Sequence, residues 1–464
     1  VRLSNTDVTV IAETSTKSSS SPDKVPEDAP DGAVAISTLD ELKGFIRGNE
    51  VYGYLTNNIE DTLDWEGIGA QTVFSAERTL NGNGYSIKLA DTTSTKTGNN
   101  GNTSGYAEGF VDPLETNSSI AGVAIRRSYG MLVDYNLGTI KNVKFIYNST
   151  SATIKNNDQD GSGGDKTMYA NFVGIVCGTN TGRIENCDLD VSGAFTYNYE
   201  NGKIGDDSSN RNNRFDTMWG GIAGRNGGVI KNITAQYTSF TLNLYTKAQN
   251  TKTGTGTKAT NAKSCAGGIA GRNVVGTTNE IKDTEVSNII ILGSGVKFNV
   301  SADGVDPLFA DPEVFREYGA VVCGNSNYSH GVGDKADKQA KVDNIIVDFE
   351  VTGSFTMGTK MSRNAVVFCG KSTNVTILTV SDKVSDNQHV DYQTDHCNCG
   401  ANNNEGEHET GYGNLIHTGD HSNVTVGFDE QGNQVITVAP KDKEKAILGE
   451  IAFTKYSGKG TVTD

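Results

Sequence analysis

The phrase Gly220-Gly221-Ile222-Ala223-Gly224-Arg225-Asn226-Gly227-Gly228-Val229-Ile230-Lys231-Asn232 recurs in altered form along most of this 464-residue chain. One cycle earlier stands Gly174-Ile175-Val176-Cys177-Gly178-Thr179-Asn180-Thr181-Gly182-Arg183-Ile184-Glu185-Asn186, and an earlier copy opens at Gly130. Later copies begin at Gly267, Ala320 and, more degenerate, Val366, so the starting points fall roughly 44 to 53 residues apart. Self-similarity at such a period points to a solenoid or a propeller rather than one globular core.

Each copy opens with small and β-branched residues, turns at Gly or Asn, and continues into a second segment such as Ile230-Lys231-Asn232-Ile233-Thr234. This pattern predicts strands of about four to six residues, with Gly, and secondarily Asn, supplying positive φ at the corners. Two strand-turn units per period would give about 23 residues per wrap, and twelve wraps at about 4.8 Å would make a rod of roughly 58 Å. A propeller blade needs antiparallel hairpins and a blade-closing signature, which the repeat lacks. Aligning the copies puts Val133, Cys177, Ala223, Ala270, Cys323 and Cys369 at one register, a ladder of small apolar side chains in which the thiols act as small hydrophobes. A Cys323–Cys369 disulfide requires their wraps to be adjacent.

The Gly-Gly-Ile-Ala-Gly-x-Asn-x-Gly-x-Ile-x-Asn phrase resembles the GLUG motif of bacterial surface and adhesin-like proteins. The lead-in Ile36 to Leu42, then Tyr54 to Ile59, Trp65 to Gly69 and Leu80 to Ile87, is similar to the opening wraps of right-handed β-helix modules in such proteins. The resemblance covers about residues 34 to 383. It implies an all-β fold, a right-handed parallel β-helix, together with an extracellular or cell-surface location. It implies no reaction. The expected organisation is an N-terminal extension at 1–33, a capping helix and first wraps at 34–129, and the repeat body at 130–383. A Cys/His-rich inserted loop at 384–422 and a C-terminal antiparallel β cap at 423–464 complete it.

The two ends carry their own signals. Thr38 and Glu41 have capping-box spacing, and Leu39, Leu42, Phe45 and Ile46 recur at helical intervals before Gly48, so a short amphipathic helix is expected over the first wrap. Val1, Leu3, Val8 and Val10 give the extension partial strand alternation, followed by a Ser-, Lys- and Pro-rich stretch. That segment either lies on its own rod or donates a strand to a neighbouring subunit, which would make the chain a filament subunit. At the other end, Val424–Phe428 and Gln434–Val438 flank a turn and read as a hairpin.

A net charge of −16 argues against nucleic acid or an anionic membrane as the main partner. No apolar run is long enough to span a membrane. The expected partners are other copies of the chain, or a glycan or protein at a cell surface. A start at Val1 without Met or leader is what a processed product would show. Eight Asn-x-Ser/Thr sequons, among them Asn148, Asn232 and Asn299, matter only where the source glycosylates.

One constellation has chemistry in it. Five of the six histidines lie between His389 and His421 beside Cys397 and Cys399. Cys397, Cys399, His417 and His421 could close a structural zinc site that pins a loop poor in apolar residues. Pairings through His396 or His408, and disulfides among the cysteines, compete with it. Asp158-x-Asp160-Gly161 followed by Asp165 has the oxygen spacing of a calcium loop, beside its plainer reading as a solvated acidic turn. Parallel β-helices also include polysaccharide lyases and hydrolases. Asp188, Asp190, Asp348 and Glu350 could be aligned on neighbouring wraps for such work. No basic residue stands beside a repeated acidic pair, so the expectation is a non-enzymatic structural protein, a self-assembling surface rod or an adhesin, with a carbohydrate-active enzyme as the alternative.

Overall fold

The computed structural model describes residues 25–63, 72–89, 95–97, 124–156, 168–200, 213–247, 260–274, 284–303, 317–320, 323–327, 341–357, 363–366, 372–384, 424–428 and 434–438. These residues are mostly strand, with one helix, Leu39–Arg47. The strands form a first sheet of fifteen strands and a second and third sheet of six each. Pairing is parallel throughout, except that Val424–Phe428 and Gln434–Val438 pair with each other, and Gln434–Val438 with Ser372–Val384, in antiparallel fashion at the expected C-terminal position.

Register follows the repeat. In the third sheet Gly130 pairs with Gly174, Gly174 with Gly220, Gly220 with Gly267, Gly267 with Ala320 and Ala320 with Val366. These are the starting residues of the six copies. In the second sheet Val133, Cys177, Ala223, Ala270 and Cys323 pair in turn, as the alignment of the copies anticipates. Cys369 lies outside the described residues. One feature differs from expectation. Successive partners are a whole repeat apart, so each repeat adds one strand to each of three sheets rather than two wraps. Nine parallel strands succeed one another along the main path of the first sheet, a stack of roughly 38 Å. The first-sheet strands are also long, 18 residues in Arg183–Glu200 and 19 in both Val229–Lys247 and Glu285–Asp303. A period-2 reading of the short apolar runs missed this because Asn corners and bulges interrupt the alternation.

The glycines of the repeat do not serve as positive-φ corners. That role falls to Asn142, Asn186, Asn232 and Asn288, with φ of 56°, 56°, 55° and 55°, the conformation that Asn tolerates best among residues with a Cβ. The glycines are needed instead because backbones come too close for a Cβ. One built on Gly178 would sit 2.3 Å from the Tyr129 N, and one on Gly224 would sit 2.2 Å from the Val173 N. In each case the obstacle is the third-sheet strand of the preceding repeat, so second and third sheets meet backbone to backbone.

Two columns of asparagine cross the repeats. In the buried column Asn136 Nδ2 donates to Asn180 Oδ1 at 2.8 Å, Asn180 to Asn226 at 2.7 Å, and Asn226 to Asn273 at 2.9 Å. The Asn226 amide also donates to the Gly228 and Glu285 carbonyls. In the corner column Asn142 donates to Asn81, Asn232 to Asn186 and Asn288 to Asn232, at 2.7 to 3.0 Å. The buried column begins at Asn136, since its partner in the preceding strand is Phe74. In the buried column the amide nitrogens of Asn136, Asn180 and Asn226 all find acceptors, and only the terminal Asn136 Oδ1 of these three is left without a donor.

The first-sheet strands carry a bulge at a shared position, at Gly193 (φ 86°), Ser239 (φ 49°) and Gly295 (φ 66°), where the register slips. Near it Trp219 packs within 6 Å of the rings of Phe195, Phe240 and Phe298, which come from three successive repeats. Cys177 and Cys187 are buried free thiols whose pKa values burial drives upward, to about 12 for Cys187. They pack as small apolar groups and are poor nucleophiles.

At the N-terminal end the helix Leu39–Arg47 has the full capping box between Thr38 and Glu41, with Leu42, Phe45 and Ile46 buried in the common core. Gly48 ends it in an extended conformation (φ −78°), not a left-handed one. The closing role belongs to Arg78, which sequence reading passed over. Its buried guanidinium donates to the carbonyls of Phe45, Ile46 and Glu50 and lies between the Phe45 and Phe74 rings, 4.7 and 4.8 Å from their centroids.

Candidate functional site

The sequence candidates separate sharply by position. Cys397, Cys399, His417 and His421 lie outside the described residues, as do Asp158, Asp160, Asp165 and the strand-donor set Val1, Leu3, Val8 and Val10. Among the described residues no group of three or more His, Cys, Asp and Glu is arranged to hold a metal ion.

The residues weighed for glycan cleavage lie on described strands, and their backbone spacing is specific. Asp188 and Asp190 face outward on Arg183–Glu200. In register, the neighbours of Asp188 are Lys144 and Thr234, and those of Asp190 are Ile146 and Gln236. Asp348 shares the column of Asp190, but Gln236 and Leu292 stand between them. Three strand steps put their backbones about 14 Å apart, beyond the roughly 5–10 Å of a paired acid and base. Glu350 falls at the register slip of its strand. Asp190 is itself engaged, 2.7 Å from Lys144 Nζ. The parallel sheet aligns these residues without pairing them.

The polar cluster that the structure does assemble was not anticipated. It joins Asp28, ahead of the first strand, to Tyr52, Asn81 and Lys141 from three successive strands of the first sheet. Asp28 Oδ1 accepts from the Tyr52 hydroxyl at 3.0 Å and from Asn81 Nδ2 at 3.4 Å, and its Oδ2 accepts from Lys141 Nζ. Asn81 Nδ2 also donates to the Tyr52 oxygen at 2.8 Å. The Lys141 ammonium beside Asp28 holds its carboxyl below the usual carboxylate range, while burial raises the Tyr52 phenol. With every oxygen of the carboxylate engaged, the cluster fastens a segment rather than activating a nucleophile. No sequence signal could have found it, because Asp28 lies 113 residues from Lys141 and stands outside the repeat.

Turns lead the fastened segment to the first strand: Ala29 N donates to Pro26 O, Ala33 N donates to Pro30 O, and Gly32 has φ of 84°. Tyr52, Tyr54 and Asn81 lie on the outer face of the first sheet, because their alternates Gly53, Leu55 and Leu80 point to the core. Yet they are only 6%, 8% and 2% exposed. Residues 25–33 therefore act as a strap laid across that face.

Comparison with known protein families, characterised proteins and solved structures returns no match to this chain. Among the described residues no helix is long and apolar enough to cross a membrane.

Proposed function

We propose that this chain is a non-enzymatic structural rod of the GLUG type. In this reading the three parallel sheets are the faces of a right-handed parallel β-helix that works outside the cell, at its surface. There it assembles into a filament or presents its flank as an adhesin. The observation that carries the reading is the use made of the repeat. Among the described residues its glycines are spent on backbone contact, its asparagines on ladders and corners, and its small residues on the core column. The wide separation of Asp190 and Asp348 supports it further.

Light scattering and electron microscopy of the full chain test the reading. Rods that associate end to end or bind a cell-surface glycan or protein are expected. A second assay incubates the protein with acidic and neutral polysaccharides, where new reducing or unsaturated ends would replace the structural reading with the glycan-cleaving one. The same proposal assigns Cys397, Cys399, His417 and His421 to a structural zinc clip. Metal analysis of the native protein should find zinc that Cys397→Ser removes.

A further inference from the structure

Three of the eight Asn-x-Ser/Thr sequons have their asparagine side chain among the described residues: Asn148, Asn232 and Asn299. A sugar on such a side chain is bulky and must stand out from the finished surface. The three positions differ sharply in that respect.

Asn232 is a rung of the corner column. Its Nδ2 donates to Asn186 Oδ1 at 2.7 Å, its Oδ1 accepts from Asn288 Nδ2 at 3.0 Å, and its φ is 55°. Asn299 belongs to a further ladder on the first sheet. Its Nδ2 donates to Asn243 Oδ1 at 2.9 Å, and Asn243 Nδ2 donates to Thr196 Oγ1 at 3.3 Å. A pyranose on either nitrogen would have to enter a stack whose rungs lie about 4.8 Å apart.

Asn148 is placed differently. It is exposed on the outer face of Lys144–Asn156, between the buried Tyr147 and Ser149. In register its column continues through Ser192, Thr238 and Ser294, one from each following repeat. All three are short hydroxyl residues, and Thr238 and Ser294 are exposed as well. Just past Asn148 the strand slips register, between Ser149 and Ala152, and a bulge of this kind bends a strand away from its neighbour. The Asn148 side chain therefore stands beside a low strip of hydroxyls instead of inside a ladder.

We propose that Asn148 is a glycosylation site, the described sequon at which the folded chain carries an N-linked oligosaccharide. This rests on the reading that the chain works outside the cell, where such sequons are used. Thr150 completes the sequon. The co-substrate is an oligosaccharide carried on a lipid diphosphate. Asn148 Nδ2 bonds to the anomeric carbon, the bond from that carbon to the diphosphate oxygen breaks, and the amide proton goes to the released diphosphate. Transfer takes place on the extended chain, so the fold decides which modified chains can close. A sugar at Asn148 projects from the completed sheet, whereas one at Asn232 or Asn299 obstructs a ladder.

The test is secretion of the full chain from a glycosylating eukaryotic host, with glycopeptides mapped by mass beside a co-expressed control glycoprotein. Folded, secreted protein should carry sugar at Asn148 and none at Asn232 or Asn299, and Asn148→Gln should remove that sugar without changing the melting temperature. An unmodified Asn148 beside a modified control would overturn the site while leaving the structural reading standing. Sugar at Asn232 or Asn299 in the folded protein would overturn it too. A second measurement needs no secretion: Asn148→Cys, Asn232→Cys and Asn299→Cys proteins are treated with a thiol-reactive glucosamine and read by peptide mass. Cys at 148 should couple roughly tenfold faster than at the two ladder positions, which react only when the ladder opens. Equal rates would contradict the assignment.

Discussion

At the scale of single residues, the fold rests on side chains that are small or amide-bearing for reasons of contact. Asn226 occupies the middle of the buried column, accepting from Asn180 and donating to Asn273, Gly228 and Glu285. Asn226→Ala strands donors and carbonyls on both sides and should cost about 1–3 kcal/mol, read as a shift in the denaturation midpoint. Glycines at different places should behave oppositely. Gly44 is on the exposed side of the helix, with no atom within 4 Å of the point where a methyl group would stand, so Gly44→Ala should stabilise by about 1 kcal/mol. Gly178→Ala must push the Tyr129 backbone aside and should be the more damaging by several kcal/mol. Equal effects in thermal denaturation would contradict the close-approach account of the repeat glycines.

At the scale of elements, the ends of the stack depend on contacts made by non-repeating residues. Arg78→Ala removes the donors that close the last turn of Leu39–Arg47 and should cost about 2–3 kcal/mol, with faster amide exchange confined first to that helix. The strap responds to acid. Lys141 depresses the Asp28 carboxyl in the folded state, so the contact stabilises fully above the ordinary carboxylate pKa of about 4 and fades as pH falls through the lowered folded value. Exchange of residues 25–33 should rise on acidification below about pH 4, and Asp28→Asn should leave the strap loose and flat across that range. The helix was legible in the sequence because Thr38, Glu41 and the Leu42–Phe45–Ile46 spacing are local signals. The repeat register was legible because six copies could be aligned from Gly130 to Val366. Arg78 and the Asp28 cluster were not, since each acts once and across dozens of residues. The long strands were hidden for another reason: Asn186 and Gly193 interrupt the alternation inside one continuous strand.

At the scale of the whole molecule, one strand per sheet per repeat makes the length of the stack adjustable in units of a repeat. Removing residues 174–219, which joins Val173 to Gly220, should leave a folded rod about 4.8 Å shorter with its ends unchanged. Removing only residues 174–196 should misfold it, because half a repeat reaches only part of the circuit through the three sheets. Circular dichroism and small-angle scattering distinguish the two outcomes, and a well-folded half-repeat deletion would restore the two-wrap arrangement. The asparagine columns bear on the same point electrically. In the buried column every amide hands its hydrogen bond forward to the next repeat, while in the corner column it hands it back to the preceding one. Aligned amide dipoles add, as they do along a helix, but these two rows oppose each other. A stack built this way can gain repeats while its opposed rows offset part of each other's dipole, so its tips gather less charge than rows running all one way would deliver there.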